Sequence, residues 1–372
     1  MGGASISKGR TMPETSRRRA LQVSALTMAA AALPATALPA GADGPRPGRR
    51  PNRRPDRIDT HHHAVPDEMR RWAIEHKLIE EDKLPPWAEW TLEDALDLMD
   101  DNGIAAGVAS APIPAEAFKD KRELAISGIK VCNESMAGLV RDTPTRFGFF
   151  ANVAMLFPDL AVQQIGHALD DLGADGILLN TSADGKYLGD PMFEPIFAEL
   201  DRRRAVVFTH PLQPKGIVDV PHIDEWVVDF LADTTRTALS LIAAGTLERY
   251  RHMSVILSHA GGYLPYMLGR AERWGRLKGS PTTDEKVRRA MRRFYYDTAL
   301  PMSPYATPTL LGIVGADRVL FGTDWPAISA EDVLRGTEAY ELDPVLDERA
   351  RRAIDNGNAR RLFPRLAARI GR

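Results

Sequence analysis

Cysteine is almost missing from this chain of 372 residues. Cys132 stands alone, so neither an internal disulfide nor a thiolate metal cluster can form, and any metal site must draw on His, Asp or Glu. No Gly-rich phosphate loop follows any strand-like run, which argues against a nucleotide-binding open sheet. Long apolar runs are also scarce. The one Ala-rich stretch, 23–38, is short and broken by Pro34, so it does not read as a membrane span. A charged fraction of 26% excludes a membrane bundle, and a hydrophobic fraction of 44% excludes a disordered chain.

Neither sign of charge dominates, since the net is −2, yet the distribution is uneven. Residues 1–58 hold 11 Lys/Arg against three acidic residues, which leaves 37 basic against 47 acidic residues in the remainder. An acidic body argues against nucleic-acid binding by the folded part. The basic arm has its own pattern. Ser16-Arg17-Arg18-Arg19-Ala20-Leu21-Gln22 precedes the Ala-rich stretch, and small residues follow at Ala40-Gly41-Ala42. A positive segment, a short apolar core and a small-residue end make an export signal over 1–42, resembling the twin-arginine type. The expected location is therefore outside the cytoplasm, with no stable membrane insertion once the signal is removed. Residues 43–56 are rich in Pro, Arg and Gly and read as a linker.

Strand-like runs then alternate with amphipathic segments eight times. The strands fall near 57–63, 105–110, 147–153, 176–180, 205–210, 254–259, 294–298 and 319–324. Thr91 can cap the helix that follows it, with Leu92, Leu96 and Met99 as the buried face. Eight such units over 57–372 predict an α/β fold, a (β/α)8 TIM barrel. The stretch 64–90 carries Trp72, Trp87 and Trp90. It reads as a long loop insertion after the first strand, serving either as a lid or as aromatic packing over the rim.

Four of the nine histidines and one aspartate stand at the C-terminal ends of these strands: His61 and His63 on the first, His210 on the fifth, His259 on the sixth and Asp324 on the eighth. With a period of two, His61 and His63 share a face while His62 points the other way, toward a helix. In a closed barrel all these ends meet at one mouth. Imidazoles and a carboxylate there are the usual ligands of Zn²⁺ or a similar divalent ion. His76, His167 and His252 lie in helical or loop contexts without an assigned role, and His222 could reach the mouth from a loop.

The segments 59–66, 146–151, 175–179, 206–211, 233–245, 255–270 and 319–326 resemble the amidohydrolase superfamily, which implies a barrel of the metal-dependent hydrolase type, and more closely its decarboxylase branch. That branch includes 2-amino-3-carboxymuconate-6-semialdehyde decarboxylase and 6-methylsalicylate decarboxylase. The resemblance implies that His61, His63, His210 and Asp324 ligate one divalent metal, Zn²⁺ or else Mn²⁺, with His259 catalytic beside it. The fourth strand ends Leu178-Leu179-Asn180-Thr181, without the lysine that bridges two metals in hydrolytic members. Arg236, early in the fifth helix region near the mouth, is a candidate clamp for a substrate carboxylate, and the resemblance implies Arg270 as a second clamp reaching a neighbouring subunit's site in a homodimer. Arginine suits that task because it meets a carboxylate with two parallel hydrogen bonds.

The resemblance implies a metal-dependent carboxy-lyase acting on a small aromatic or unsaturated, salicylate-like carboxylic acid. The cation and Asp324 serve equally well for a hydrolase of an amide, ester or lactone, and a non-catalytic capture protein is a third reading. The His259–Asp324 acid/base pair disfavours the last of these. Two departures stand out: the export signal, and Ala64 where an aromatic is expected, a change that would enlarge the pocket or remove a stacking wall and weakens the case for 6-methylsalicylate itself.

Overall fold

The computed structural model describes residues 56–371 except 215, 219, 301 and 302. The expected export signal and all of the linker except Asp56 lie outside the described residues. Among the described residues no helix is long and apolar enough to cross a membrane.

The core is an eight-stranded parallel sheet of β1 (Arg57–His63), β2 (Ile104–Ser110), β3 (Phe147–Ala151), β4 (Gly176–Asn180), β7 (Val206–His210), β8 (Ser254–Leu257), β9 (Tyr295–Asp297) and β10 (Val319–Leu320). A small antiparallel hairpin, β5 (Ser182–Ala183) with β6 (Lys186–Tyr187), leaves the barrel after β4. The barrel closes where the chain beyond β10 meets β1. Thr60 N–H donates to the Phe321 carbonyl at 2.9 Å, Asp324 N–H to that of His61 at 2.8 Å, and His63 N–H to that of Trp325 at 2.7 Å.

The strands are apolar on both faces, as parallel strands covered by helices must be. Leu178, Phe208 and Ile256 join Ile58, Val108 and Phe150 inside the barrel, while Ile177, Leu179, Val207, Val255 and Leu257 face the helices. Phe363 and Leu366, from the C-terminal helices, belong to the inner cluster and floor the barrel, the Phe363 ring lying 5.7 Å from that of Phe150. With the lower interior filled by hydrocarbon, polar chemistry is confined to the upper rim.

Three differences from the sequence expectations have local causes. The eighth strand is two residues long rather than six, because the chain turns into a left-handed conformation at Asp324 (φ 67°). The sixth ends at Leu257, before His259 and Ala260, which have φ of 53° and 55°. The stretch 64–90 is not a plain loop: it holds the helix Asp67–Glu75 and two short 3₁₀ turns, Glu81–Lys83 and Pro86–Glu89. Its aromatics pack inward: Trp90 is buried in the main core, and the Trp72 ring lies so close to Gly128 that a Cβ there would come within 2.5 Å. Rim packing therefore describes Trp72 and Trp90 better than a lid.

Thr91 caps the helix Leu92–Asp101 as expected, its Oγ1 accepting from Asp94 N–H at 3.1 Å. The buried face is Ala95, Leu98 and Met99, with Leu92 and Leu96 only half-buried. The methyl group of Ala95 gives too weak a hydrophobic signal to mark that face in sequence.

Arg57, at the start of β1, is buried and bonded to Asp355 (3.2 Å), Glu341 (2.7 Å) and the Asn102 carbonyl (2.6 Å). Removing one side of a buried ion pair leaves uncompensated charge. Arg57→Met is expected to lower the unfolding free energy by about 3 kcal/mol in urea titration; a loss below about 1 kcal/mol would mean the pair contributes little.

Candidate metal centre

The first strand carries a bulge. Asp59 pairs with Gly107 and His62 with Ala109, so three steps on β1 match two on β2. With Ile58 already facing inward, simple alternation would aim His62 into the barrel. The extra residue instead sends His61 and His63 to the interior and His62 outward. There His62 lies against Phe147 and Trp325, its Nδ1 3.1 Å from Asp59 Oδ2.

His61, His63, His210 and Asp324 converge at the mouth, all buried, with one potential ligand atom from each lying within 4.8 Å of the others. Asp324 Oδ1 is 3.0 Å from His61 Nε2 and 2.9 Å from His63 Nε2, while its Oδ2 is 3.2 Å from His259 Nε2. The carboxylate is thus divided, one oxygen among the proposed ligands and the other facing His259.

The outer bonds fix which nitrogens are free. His210 Nδ1 faces the Pro211 carbonyl at 2.9 Å, and a carbonyl only accepts, so Nδ1 carries the proton and Nε2 is a bare lone pair. His61 Nδ1 faces Asp297 Oδ2 at 2.8 Å in the same sense, and His61 Nε2 is buried with no hydrogen bond despite its closeness to Asp324. His63 Nδ1 is paired with Ser110 Oγ at 3.0 Å. Lone pairs and a carboxylate buried face to face require a positive charge among them. A single divalent cation fits these donors.

The electrostatics of the protein alone express the same demand. Burial opposes charge on His61, yet the Asp324 and Asp297 carboxylates on either side hold its imidazolium up to about 10. Burial drives His210 well below the usual histidine range, helped by the neighbouring imidazoles. Asp324 is held well below the usual carboxylate range: burial raises it, but His61, His259 and His63 outweigh that. The two carboxylates beside His61 thus favour positive charge where the donors converge.

Two carboxylates that the sequence reading assigned no role hold this arrangement together. Asp297, at the end of β9, bonds His61 Nδ1 through Oδ2 and accepts from His259 N–H through Oδ1 at 2.8 Å, so one side chain sets a ligand and its neighbour. Asp59 accepts from His61 N–H (3.1 Å), Thr323 N–H (3.1 Å) and Thr323 Oγ1 (2.6 Å), tying β1 to the segment that carries Asp324. Asp297 showed the same signal as the recognised residues, a carboxylate at a strand's C-terminal end. Asp59 lay two residues before His61.

Both arginines occupy exposed helix positions. Arg236 is exposed on the helix Glu225–Ala244, its guanidinium beside Tyr187 and Asp233. Asp233, one turn earlier, is buried and accepts from Thr181 Oγ1, Leu212 N–H (3.1 Å) and Tyr187 Oη (2.9 Å). Burial and that carboxylate push the Tyr187 phenol up to about 12. Arg270 is exposed on the helix Leu268–Gly275. His222 is exposed and outside the donor set, as are His76, His167 and His252. Ala64 is fully buried. Cys132 is buried too, its thiol pushed up to about 12, which suits packing rather than chemistry.

Outer carboxylates of this kind govern metal affinity. Asp297→Asn is expected to weaken metal binding 10–100-fold in a chelator competition. An unchanged affinity would show that Asp297 does not orient His61.

Comparison with known proteins agrees with this geometry. The Amidohydrolase family profile matches residues 58–365. The chain is 37% identical over 326 residues to 6-methylsalicylic acid decarboxylase of Penicillium expansum, covering 83% of this chain and 97% of that one. Among solved structures, an amidohydrolase II superposes with a TM-score of 0.75 at 28% identity, covering 83% and 99% of the two chains. A dihydroxybenzoic acid decarboxylase from Polaromonas sp. JS666, holding manganese and the inhibitor 2-nitroresorcinol, superposes at 0.67 with 24% identity over 83% and 96%. The chain belongs to the amidohydrolase family, in its decarboxylase branch.

Proposed function

We propose that the protein is a metal-dependent non-oxidative decarboxylase of a small ortho-hydroxylated aromatic carboxylic acid. The carrying observation is the divided Asp324 carboxylate, with Oδ1 among the ligand histidines and Oδ2 on His259. Similarity along most of the chain to 6-methylsalicylic acid decarboxylase turns the choice from hydrolysis to CO₂ release.

The donor set His61, His63, His210 and Asp324 would hold one cation, which supplies a Lewis acid for the substrate's carboxylate and ortho-hydroxyl oxygens. Three imidazoles and a carboxylate favour Zn²⁺; Mn²⁺, present in the Polaromonas enzyme, is the other outcome of elemental analysis. His259 Nε2, 3.2 Å from Asp324 Oδ2, relays a proton from solvent to that oxygen, which passes it to the ring carbon bearing the carboxylate. The carbon–carbon bond then breaks, its electron pair returns to the ring, CO₂ leaves, and one proton is consumed per turnover. Asp297 sustains this by fixing the His259 backbone, and the buried mouth keeps water from competing for the proton.

Two further parts of the proposal concern the protein's setting. Its arginines and Ala-rich leader support export by a twin-arginine route. A homodimer would bring Arg270 to a neighbour's mouth as a carboxylate clamp. Exposed Val218, Val220, Ile223, Trp226 and Val227 offer an apolar face for such contact, and Arg236 would clamp from within the chain.

Purified enzyme should release CO₂ from at least one member of a panel of ortho-hydroxybenzoates. Ester or amide cleavage without CO₂ would overturn the proposal. His259→Ala is expected to keep one metal per chain while lowering turnover by at least about 10²-fold, the scale of a lost general acid–base group; loss of the metal would show that His259 is a ligand instead.

A further inference from the structure

Asn180 ends β4, in the place where hydrolytic relatives carry a metal-bridging lysine. It is paired in register with His210, just as Leu178 is with Phe208. Leu178 and Phe208 both point into the barrel, so alternation sends Asn180 and His210 inward together, one layer higher and one strand spacing (about 4.8 Å) apart. Asn180 is 3% exposed. Its Oδ1 accepts from Ala115 N–H at 3.1 Å. A backbone N–H can be met only by the amide oxygen, so the orientation of the amide is decided, and the other end must be the NH₂ group.

That Nδ2 is buried and has no hydrogen-bond partner. An amide donor beside a metal ligand, oriented by a backbone bond and left unsatisfied, is costly unless something in the mouth accepts from it. Hydrocarbon cannot, and a cation would be repelled.

We infer that Asn180 is a substrate-binding residue, whose Nδ2–H donates to an oxygen of the aromatic acid. This rests on the decarboxylase reading and deepens it. The acceptor is either the carboxylate or a second ring oxygen, as in a 2,6-dihydroxybenzoate. By the same logic the site disfavours a substrate that sets a methyl group against this donor.

Two variants test it, each followed by KM, kcat, metal content and equilibrium binding of 2-hydroxybenzoate and 2,6-dihydroxybenzoate to the metal-loaded protein. Asn180→Asp keeps an oxygen for Ala115 but replaces the donor with an acceptor; Asn180→Ala removes the donor without adding charge. Both should keep one metal per chain and weaken binding by about tenfold or more, with a smaller change in kcat. Equal weakening for both ligands identifies the carboxylate as the acceptor, and weakening confined to the dihydroxy acid identifies the ring oxygen. Wild-type binding by Asn180→Asp would reduce Asn180 to a holder of the Ala115 segment. Wild-type binding by Asn180→Ala would leave only a charge effect. Either result overturns the inference. Should Asn180→Ala not fold, Asn180→Asp decides alone. A wild-type protein that binds these acids without releasing CO₂ would sink the decarboxylase reading while leaving Asn180 testable; one that binds neither acid sinks both.

Discussion

Imidazole nitrogens and carboxylate oxygens buried within 4.8 Å of one another repel unless positive charge lies among them. The upper end of the barrel is organised around that constraint. Asp297 and the Pro211 carbonyl each claim the Nδ1 proton of a histidine, so the lone pairs have nowhere to point except at one another. The Asp324 and Asp297 carboxylates favour positive charge at His61. A divalent ion held by these residues would satisfy the same donors with more charge and supply a Lewis acid.

The His259–Asp324 pair depends on two departures from regular strand. His259 and Asp324 both have left-handed backbone, at φ of 53° and 67°. Such conformations disfavour side chains with a Cβ and persist only where the surroundings enforce them. Here Asp297 accepts from the His259 N–H, while the Asp324 N–H is held by the His61 carbonyl. The two backbones are therefore anchored to β9 and β1, and their side chains meet at 3.2 Å. Gly322 permits the close passage of this segment over β1, since a Cβ there would lie 2.9 Å from that of His61.

Below this layer the barrel is hydrocarbon, and the boundary between the two is abrupt. Phe208 is followed two residues later by His210, Leu178 by Asn180, and Val108 by Ser110. Each of these three strands turns polar at the same height, over a dry floor. Water-poor surroundings strengthen the electrostatic contacts of the mouth and make an unsatisfied donor such as Asn180 Nδ2 informative rather than incidental.

The alternation of strand and helix, the shared face of His61 and His63 and the strand-end positions of His210, His259 and Asp324 were legible in the linear order of residues, because they follow from periods of two and 3.6 and from barrel convergence. The bulge in β1 was not, although it alone makes that shared face the inner one; a bulge is set by pairing with β2, which sequence spacing does not record. Asp59 and Asp297 also escaped notice, since what distinguishes a positioning carboxylate from a surface one is its partners, 264 residues away for Thr323 and 38 for the His259 amide. The amide of Asn180 belongs to the same class. Local pattern determined which residues could reach the mouth; long-range hydrogen bonding decided which lone pairs were left facing it.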